Sequence, residues 1–193
     1  MQLHLIILSL IFTFLTGCAG VGVMYSSDPY QKLENARVLF QAEHRPLAAN
    51  RLINEVIDTC EQSKDRKCLG TAWVVYAQLL SSPSAKKWEE DSGKGQFPEN
   101  RYEKSIEYFD KAAITFIGIK RYDAATNAYY NQAITYDLMQ RKTEACSSYL
   151  KSVDTYKQNI AENPNVKPYV PPGFSTYENF ISAERERVGC KAQ

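Results

Sequence analysis

The sequence predicts an all-α fold, an array of about three antiparallel helix hairpins closed by a C-terminal capping helix. Three observations carry this. Apolar residues recur at i, i+3, i+4 spacing from residue 29 onward, with hardly any alternating β-branched run of the kind a half-buried strand needs. Prolines and capping residues cut the pattern into segments a few turns long with very short connections, and short connections make neighbouring helices antiparallel. The paired unit then recurs along the chain. Composition agrees, since 193 residues with 44% hydrophobic and 23% charged side chains are globular. Lys+Arg 23 against Asp+Glu 22 leaves a net charge of +1, without the field that gathers nucleic acid or an acidic membrane surface.

Residues 1–17 predict a cleaved export signal. The run from Leu3 to Leu15 is almost wholly apolar, too short for the roughly 20 residues a bilayer span needs but of the length of a signal h-region. Leu15-Thr16-Gly17-Cys18 closes it. These four residues resemble the bacterial lipobox, in which small residues precede a cysteine that is acylated and becomes the new N-terminus. The resemblance implies a lipidated Cys18, held by several acyl chains at about 0.8 kcal/mol per buried CH₂. Met1-Gln2-Leu3-His4 departs from the pattern in having no Lys or Arg, and an apolar N-terminal helix or an uncleaved anchor are the alternatives. Ala19 after the cysteine, rather than Asp, implies by the same resemblance the outer membrane with the protein facing the periplasm. Residues 18–27 carry no charge and form the lipidated tether.

Asp28-Pro29 supplies an N-cap and first-turn proline for a helix over 29–43, which His44-Arg45-Pro46 breaks before a second helix over 46–62. The next pair is Lys67–Ser81 and Arg101–Ile119, the latter opened by a capping box, Asn100-x-x-Glu103. Between them residues 82–100, turn-rich and charged, predict a loop insertion. Trp88 and Phe97 stand in it off any helical stripe, either folded back on the scaffold or facing a partner. The third pair is Tyr122–Gln140 and Lys142–Asn163. In residues 164–193 the prolines Pro164, Pro168, Pro171 and Pro172 predict an extended strap. Ser175-x-x-Glu178 is a capping box for a last helix to about Val188, whose Tyr177, Phe180 and Ile181 would hide the final apolar face.

Over residues 28–163 the positions repeat. Tyr129, Ala133 and Tyr136 are followed by Ala145, Tyr149 and Ser152; Trp73, Tyr76, Ala77 and Leu80 by Ser105, Phe109 and Ala112; Leu33, Ala36 and Phe40 by Ala49, Ile53 and Val56. Small residues admit close helix crossings and large ones fill the space beside them. This pattern resembles the tetratricopeptide repeat (TPR). Leu33 to Trp73 spans 40 residues and Trp73 to Tyr129 spans 56, the same period plus a 16-residue insertion, against a family period of about 34. Arg37 stands where a small residue is usual. A generic helical bundle with these residues as core is the alternative. The resemblance implies a right-handed superhelix whose first helices line a concave face. On that face it places Asn127, Tyr130, Ile134, Asp137 and Leu138 of the third unit and Val74, Gln78 and Ser81 of the second, a mixed surface suited to a segment of another protein.

Four cysteines besides Cys18 in a chain addressed to an oxidising compartment predict disulfides. Of three connectivities the helical map favours Cys60–Cys68, across a turn, and Cys146–Cys190, stapling the terminal helix. In the chain-entropy model these contribute roughly 2.5 and 4 kcal/mol. A four-thiolate zinc site is the competing reading, but no C-x-x-C pair supports it.

Catalysis has little to work with. The only histidine after Cys18 is His44, at a bend, and there is no G-x-S-x-G, H-E-x-x-H, Walker A or G-x-G-x-x-G motif. The expectation is a non-enzymatic protein, with no cofactor, metal, nucleic acid or small-molecule substrate. It would be an outer-membrane-anchored scaffold that holds a protein partner during assembly of a pilus, secretion, cell-wall or barrel machine. The alternative is an immunity lipoprotein neutralising a secreted toxin in the periplasm, with Trp88 in its contact patch. The cysteine assignment has a direct check: an unreduced peptide map of the purified protein should link Cys60 to Cys68 and Cys146 to Cys190, and a Cys60–Cys146 peptide would overturn the helical map.

Overall fold

The computed structural model describes residues 26–92, 95–165 and 169–191. The export signal, Cys18 and the tether to residue 25 lie outside the described residues, as do Gly93, Lys94 and Pro168. Among the described residues there are eight helices and no strand: α1 (Pro29–Gln41), α2 (Pro46–Gln62), α3 (Arg66–Ser81), α4 (Pro83–Ser92), α5 (Arg101–Gly118), α6 (Tyr122–Leu138), α7 (Lys142–Glu162) and α8 (Tyr177–Val188). Helix pairs α1/α2, α3/α5 and α6/α7 pack as hairpins. Each hairpin also leans on the next, α2 on α3 and α5 on α6, and α8 closes on α7. The seven helices read from the sequence are all present, with ends within two residues of those expected.

The starts follow from capping. Asp28 accepts from the Tyr30 backbone N–H at 2.9 Å and Asp65 from that of Cys68 at 3.0 Å. Two expected capping boxes are corrected. Asn100 makes no side-chain cap on α5, and α8 is capped one residue later than expected, by Thr176 accepting from the Asn179 N–H at 3.1 Å. Ser175 instead accepts from the Asn179 side-chain amide at 2.8 Å.

Residues 82–100 are not simply a loop, because they contain α4. Pro83 opens it, and the Ser82 hydroxyl accepts from the Ala85 N–H at 3.1 Å. Its Ala85 and Trp88 pack on the first core cluster, around Leu33, Phe40, Ile53 and Leu80, and Phe97 is buried there too. Of the two placements open to Trp88 and Phe97, both side chains take the folded-back one. Arg101 pins the insertion in place. Its buried guanidinium donates from Nη1 to the Leu80 carbonyl at 2.6 Å and pairs through Nε with Glu89 of α4 at 3.1 Å. A buried charge is tolerable only with such partners.

The small residues sit at the crossings. Ala36, Ala49, Ala77, Ala112, Ala133 and Ala145 are fully buried, and at Gly70 of α3 a Cβ would lie 2.9 Å from the Phe116 ring of α5. The cysteines form the expected pairs: Cys60 with Cys68, Cα atoms 5.6 Å apart, and Cys146 with Cys190, 5.8 Å apart.

Three turns between helices share one geometry. Lys64, Lys120 and Gln140 take φ of 56°, 58° and 59°. In each turn the next N–H reaches back five residues, Asp65 to Cys60, Arg121 to Phe116 and Arg141 to Tyr136, at 2.8–3.0 Å. This is the Schellman closure, which favours glycine at the left-handed position. Glycine there, as at Gly189 after α8, avoids the Cβ clash at the expense of some unfolded-state entropy. Lys120→Gly and Gln140→Gly should therefore each stabilise the fold by about 0.5–1 kcal/mol, seen as a rise of about 1–3 °C in Tm.

Candidate functional site

An aromatic cleft forms where α6, α7, α8 and the strap meet. Helix α7 presents Tyr149 and Tyr156, seven residues apart and so on one face. Ring centroids of Tyr156 and Tyr177 stack at 4.4 Å, while Phe180 reaches Tyr130 of α6 at 5.4 Å and Phe174 at 5.2 Å. Rings at these separations and tilts gain about 0.5–1.5 kcal/mol per pair beyond their burial. Residues 169–174 form the outer wall. The Phe174 N–H donates to the Pro171 carbonyl at 3.3 Å with Gly173 at φ 89°, a type II turn in which Pro172 and Gly173 take the two positions that suit them.

The cleft encloses about 410 Å³, lined by Asp123, Thr126, Asn127 and Tyr130 of α6, Tyr156 and Asn159 of α7, Tyr177 and Phe180 of α8, and Tyr169 and Pro171 of the strap. Its floor is tied together where the Thr126 and Thr155 hydroxyls meet at 3.1 Å. At its rim the amides are oriented by the next turn of their own helices. Asn131 donates to Asn127 Oδ1 at 2.9 Å and Asn163 to Asn159 Oδ1 at 3.1 Å. Arg121 grips Asp123 bidentately, Nε to Oδ1 at 2.9 Å and Nη2 to Oδ2 at 2.8 Å, and holds its carboxyl below the usual range.

Burial pushes the Tyr177 hydroxyl up to about 12. Burial raises Tyr130 and Tyr149 as well, with the negative charge of Glu184 as the next cause. Beside the cleft Arg187 bonds Asp137 at 2.8 Å and Glu184 at 3.0 Å, and the Tyr149 hydroxyl donates to Glu184 at 3.4 Å. With their ionisation pushed upward, Tyr130, Tyr149 and Tyr177 are neutral at pH 7, and the site offers stacking faces, hydroxyls and amide donors.

Two of the residues assigned from sequence, Asn127 and Tyr130, line this cleft. The others are dispersed. Val74 is 4% exposed within the core of Phe109, Ala112 and Tyr129. Its expected place on an open face is corrected, because α3 has α1 and α6 on either side and few of its residues reach solvent. Gln78 accepts from Arg37 Nε at 3.4 Å, and the Ser81 hydroxyl bonds the Ala77 carbonyl. Asp137 is taken by Arg187, Ile134 is half-buried and Leu138 is 57% exposed away from the cleft lining. Trp88 lies on α4 with its indole N–H buried and unbonded among the described residues. Sequence reasoning missed Asp123, Tyr156, Asn159 and Tyr169. The available signal was Tyr156, one aromatic more on α7 than the repeat pattern uses.

His44 stands in the turn between α1 and α2, and among the described residues no group of three or more His, Cys, Asp and Glu side chains is placed to hold a metal ion. No family model, curated protein or solved structure matches this chain.

The buried phenol sets a pH response. Below pH 10 Tyr177 is protonated in folded and unfolded chains alike, and its contribution is whole. As pH rises from 10 to about 12 the unfolded chain ionises while the folded one does not, so stability falls across that window. Denaturant titrations at pH 9, 10.5 and 12 should show this loss, and Tyr177→Phe should reduce it.

Proposed function

We propose that this protein is a lipoprotein anchored through Cys18 to the outer membrane and facing the periplasm, where its TPR-like array holds a protein partner during assembly of an envelope machine. The observation that carries the reading is the aromatic cleft around Tyr130. It is a concave, partly apolar site with polar groups at the rim, within the roughly 300–1,000 Å³ range of binding pockets. The helix hairpins with small residues at their crossings are compatible with TPR-like repeats, and two disulfides suit an oxidising compartment. The immunity alternative would use a patch around Trp88. That side chain is partly buried against the first hairpin, which favours the cleft over the insertion as the contact surface.

The test is a crosslinked pull-down of the tagged full chain from solubilised envelopes, read by mass spectrometry beside an Asn127→Ala, Tyr130→Ala variant of matched Tm. Recovery of an envelope assembly, reduced at least about tenfold in the variant, is the expected result. Tenfold corresponds to about 1.4 kcal/mol, the size of losing one buried ring contact and one hydrogen bond. Recovery of a single secreted toxin, or equal recovery by the variant, would overturn it. Cys18→Ala should move the protein from the membrane to the soluble fraction.

A further inference from the structure

We infer that the cleft takes an extended, proline-bearing segment of the partner, an inference that rests on the scaffold reading above. The polarity of its hydrogen-bonding groups points this way. At Asn127 and Asn159 the side-chain oxygens are already bonded by Asn131 and Asn163, which leaves the two Nδ2 groups as donors. At Asp123 each oxygen accepts one bond from Arg121. The rim thus presents two amide donors with no bond of their own among the described residues. An occupant that brings carbonyl acceptors satisfies them.

A polyproline II chain meets that demand. Its carbonyls have no internal partner, and each proline lacks the N–H that would need an acceptor. An α-helix has most of its carbonyls bonded internally, and a β-strand needs alternating donors and acceptors from a neighbouring backbone, which side chains on helices do not supply. The walls agree, since proline rings pack on aromatic faces in grooves of this kind, and Tyr130, Tyr156, Tyr169, Tyr177 and Phe180 supply such faces. The chain already places this chemistry at the site: Pro171, in the run Tyr169-Val170-Pro171 outside any helix, is one of the lining residues. The groove of about 520 Å³ between α5 and α7 is different. Its lining is charged, with Glu103, Glu107, Asp110 and Glu144 beside Arg141 and Lys151, and Tyr136 is its one aromatic ring.

The experiment is calorimetric titration of the full chain in detergent with three peptides: a proline decamer, a Gly-Ser decamer and an alanine-rich helical peptide. The proline decamer should bind saturably and at least about tenfold more tightly than either control. Asn159→Ala and Tyr169→Ala should each weaken that binding by roughly 5- to 10-fold, the size of one hydrogen bond or one stacking face. Asn159 is half-buried and Tyr169 is 75% exposed, so neither change removes core and Tm should hold. Equal binding of the proline and Gly-Ser decamers, tighter binding of the helical peptide, or unchanged affinity in both variants would overturn the inference. If the pull-down depends on Tyr130 while the proline decamer is silent, the scaffold stands and this occupant falls. If the decamer binds as expected while the pull-down recovers no assembly, the scaffold role falls instead.

Discussion

The constraint on which the site depends is the length mismatch at the end of the array. A stack of hairpins ends on an apolar stripe with no next unit to cover it. Here that stripe runs along α7, 21 residues or about 32 Å long, while the helix that covers it, α8, has 12 residues and reaches about 18 Å. Cys190, just past the end of α8, is bonded to Cys146 near the start of α7, and Tyr177 at the start of α8 stacks on Tyr156. The last turns of α7, with Asn159, therefore project beyond the cap. The cleft is the space that results, with the strap as its outer wall.

What holds the cap in register is a set of unlike interactions at its two ends. At one end stand the disulfide and the Schellman turn through Gly189. At the other are stacked rings whose hydroxyls stay neutral because ionising them inside the cluster is unfavourable. Between these ends Arg187 joins Asp137 of α6 to Glu184 of α8, an exposed network that fixes orientation more than it adds stability. Position and strength come from different residues, so the rings can form a binding surface without also being the only thing that holds α8 in place.

The fold is legible in the sequence where a local signal and a periodic one agree. Asp28-Pro29 and the alanines at the crossings are enough to mark the hairpins. Helix α4 is not legible, because Lys86, Lys87, Glu89 and Glu90 surround a single Trp88 and no stripe survives beyond one turn. Its helicity rests on a proline, a serine cap and a buried pairing with Arg101. At the site the limit is different. Asn127 and Tyr130 follow from counting along α6, but Asn159 and Tyr169 come from a helix end and a strap that no period relates to α6. Val74 is misplaced by the pattern because periodicity shows which residues share a face and not how many neighbours that face has.

The distribution of covalent links gives the array an uneven mechanical profile. Cys60–Cys68 joins α2 to α3, and Cys146–Cys190 joins α7 to the cap, so the first unit boundary and the last are bridged by sulfur. The boundary between α5 and α6 has no disulfide: it is held by packing, Phe116 and Ala113 against Ala125 and Ala128, by the Gln132 amide donating to the Ile106 carbonyl at 3.2 Å, and by the turn at Lys120. A load applied between the N-terminal end and the cleft passes through the first and the middle boundary in series. The middle boundary is then the one that yields, and the cleft with its cap travels as one intact piece.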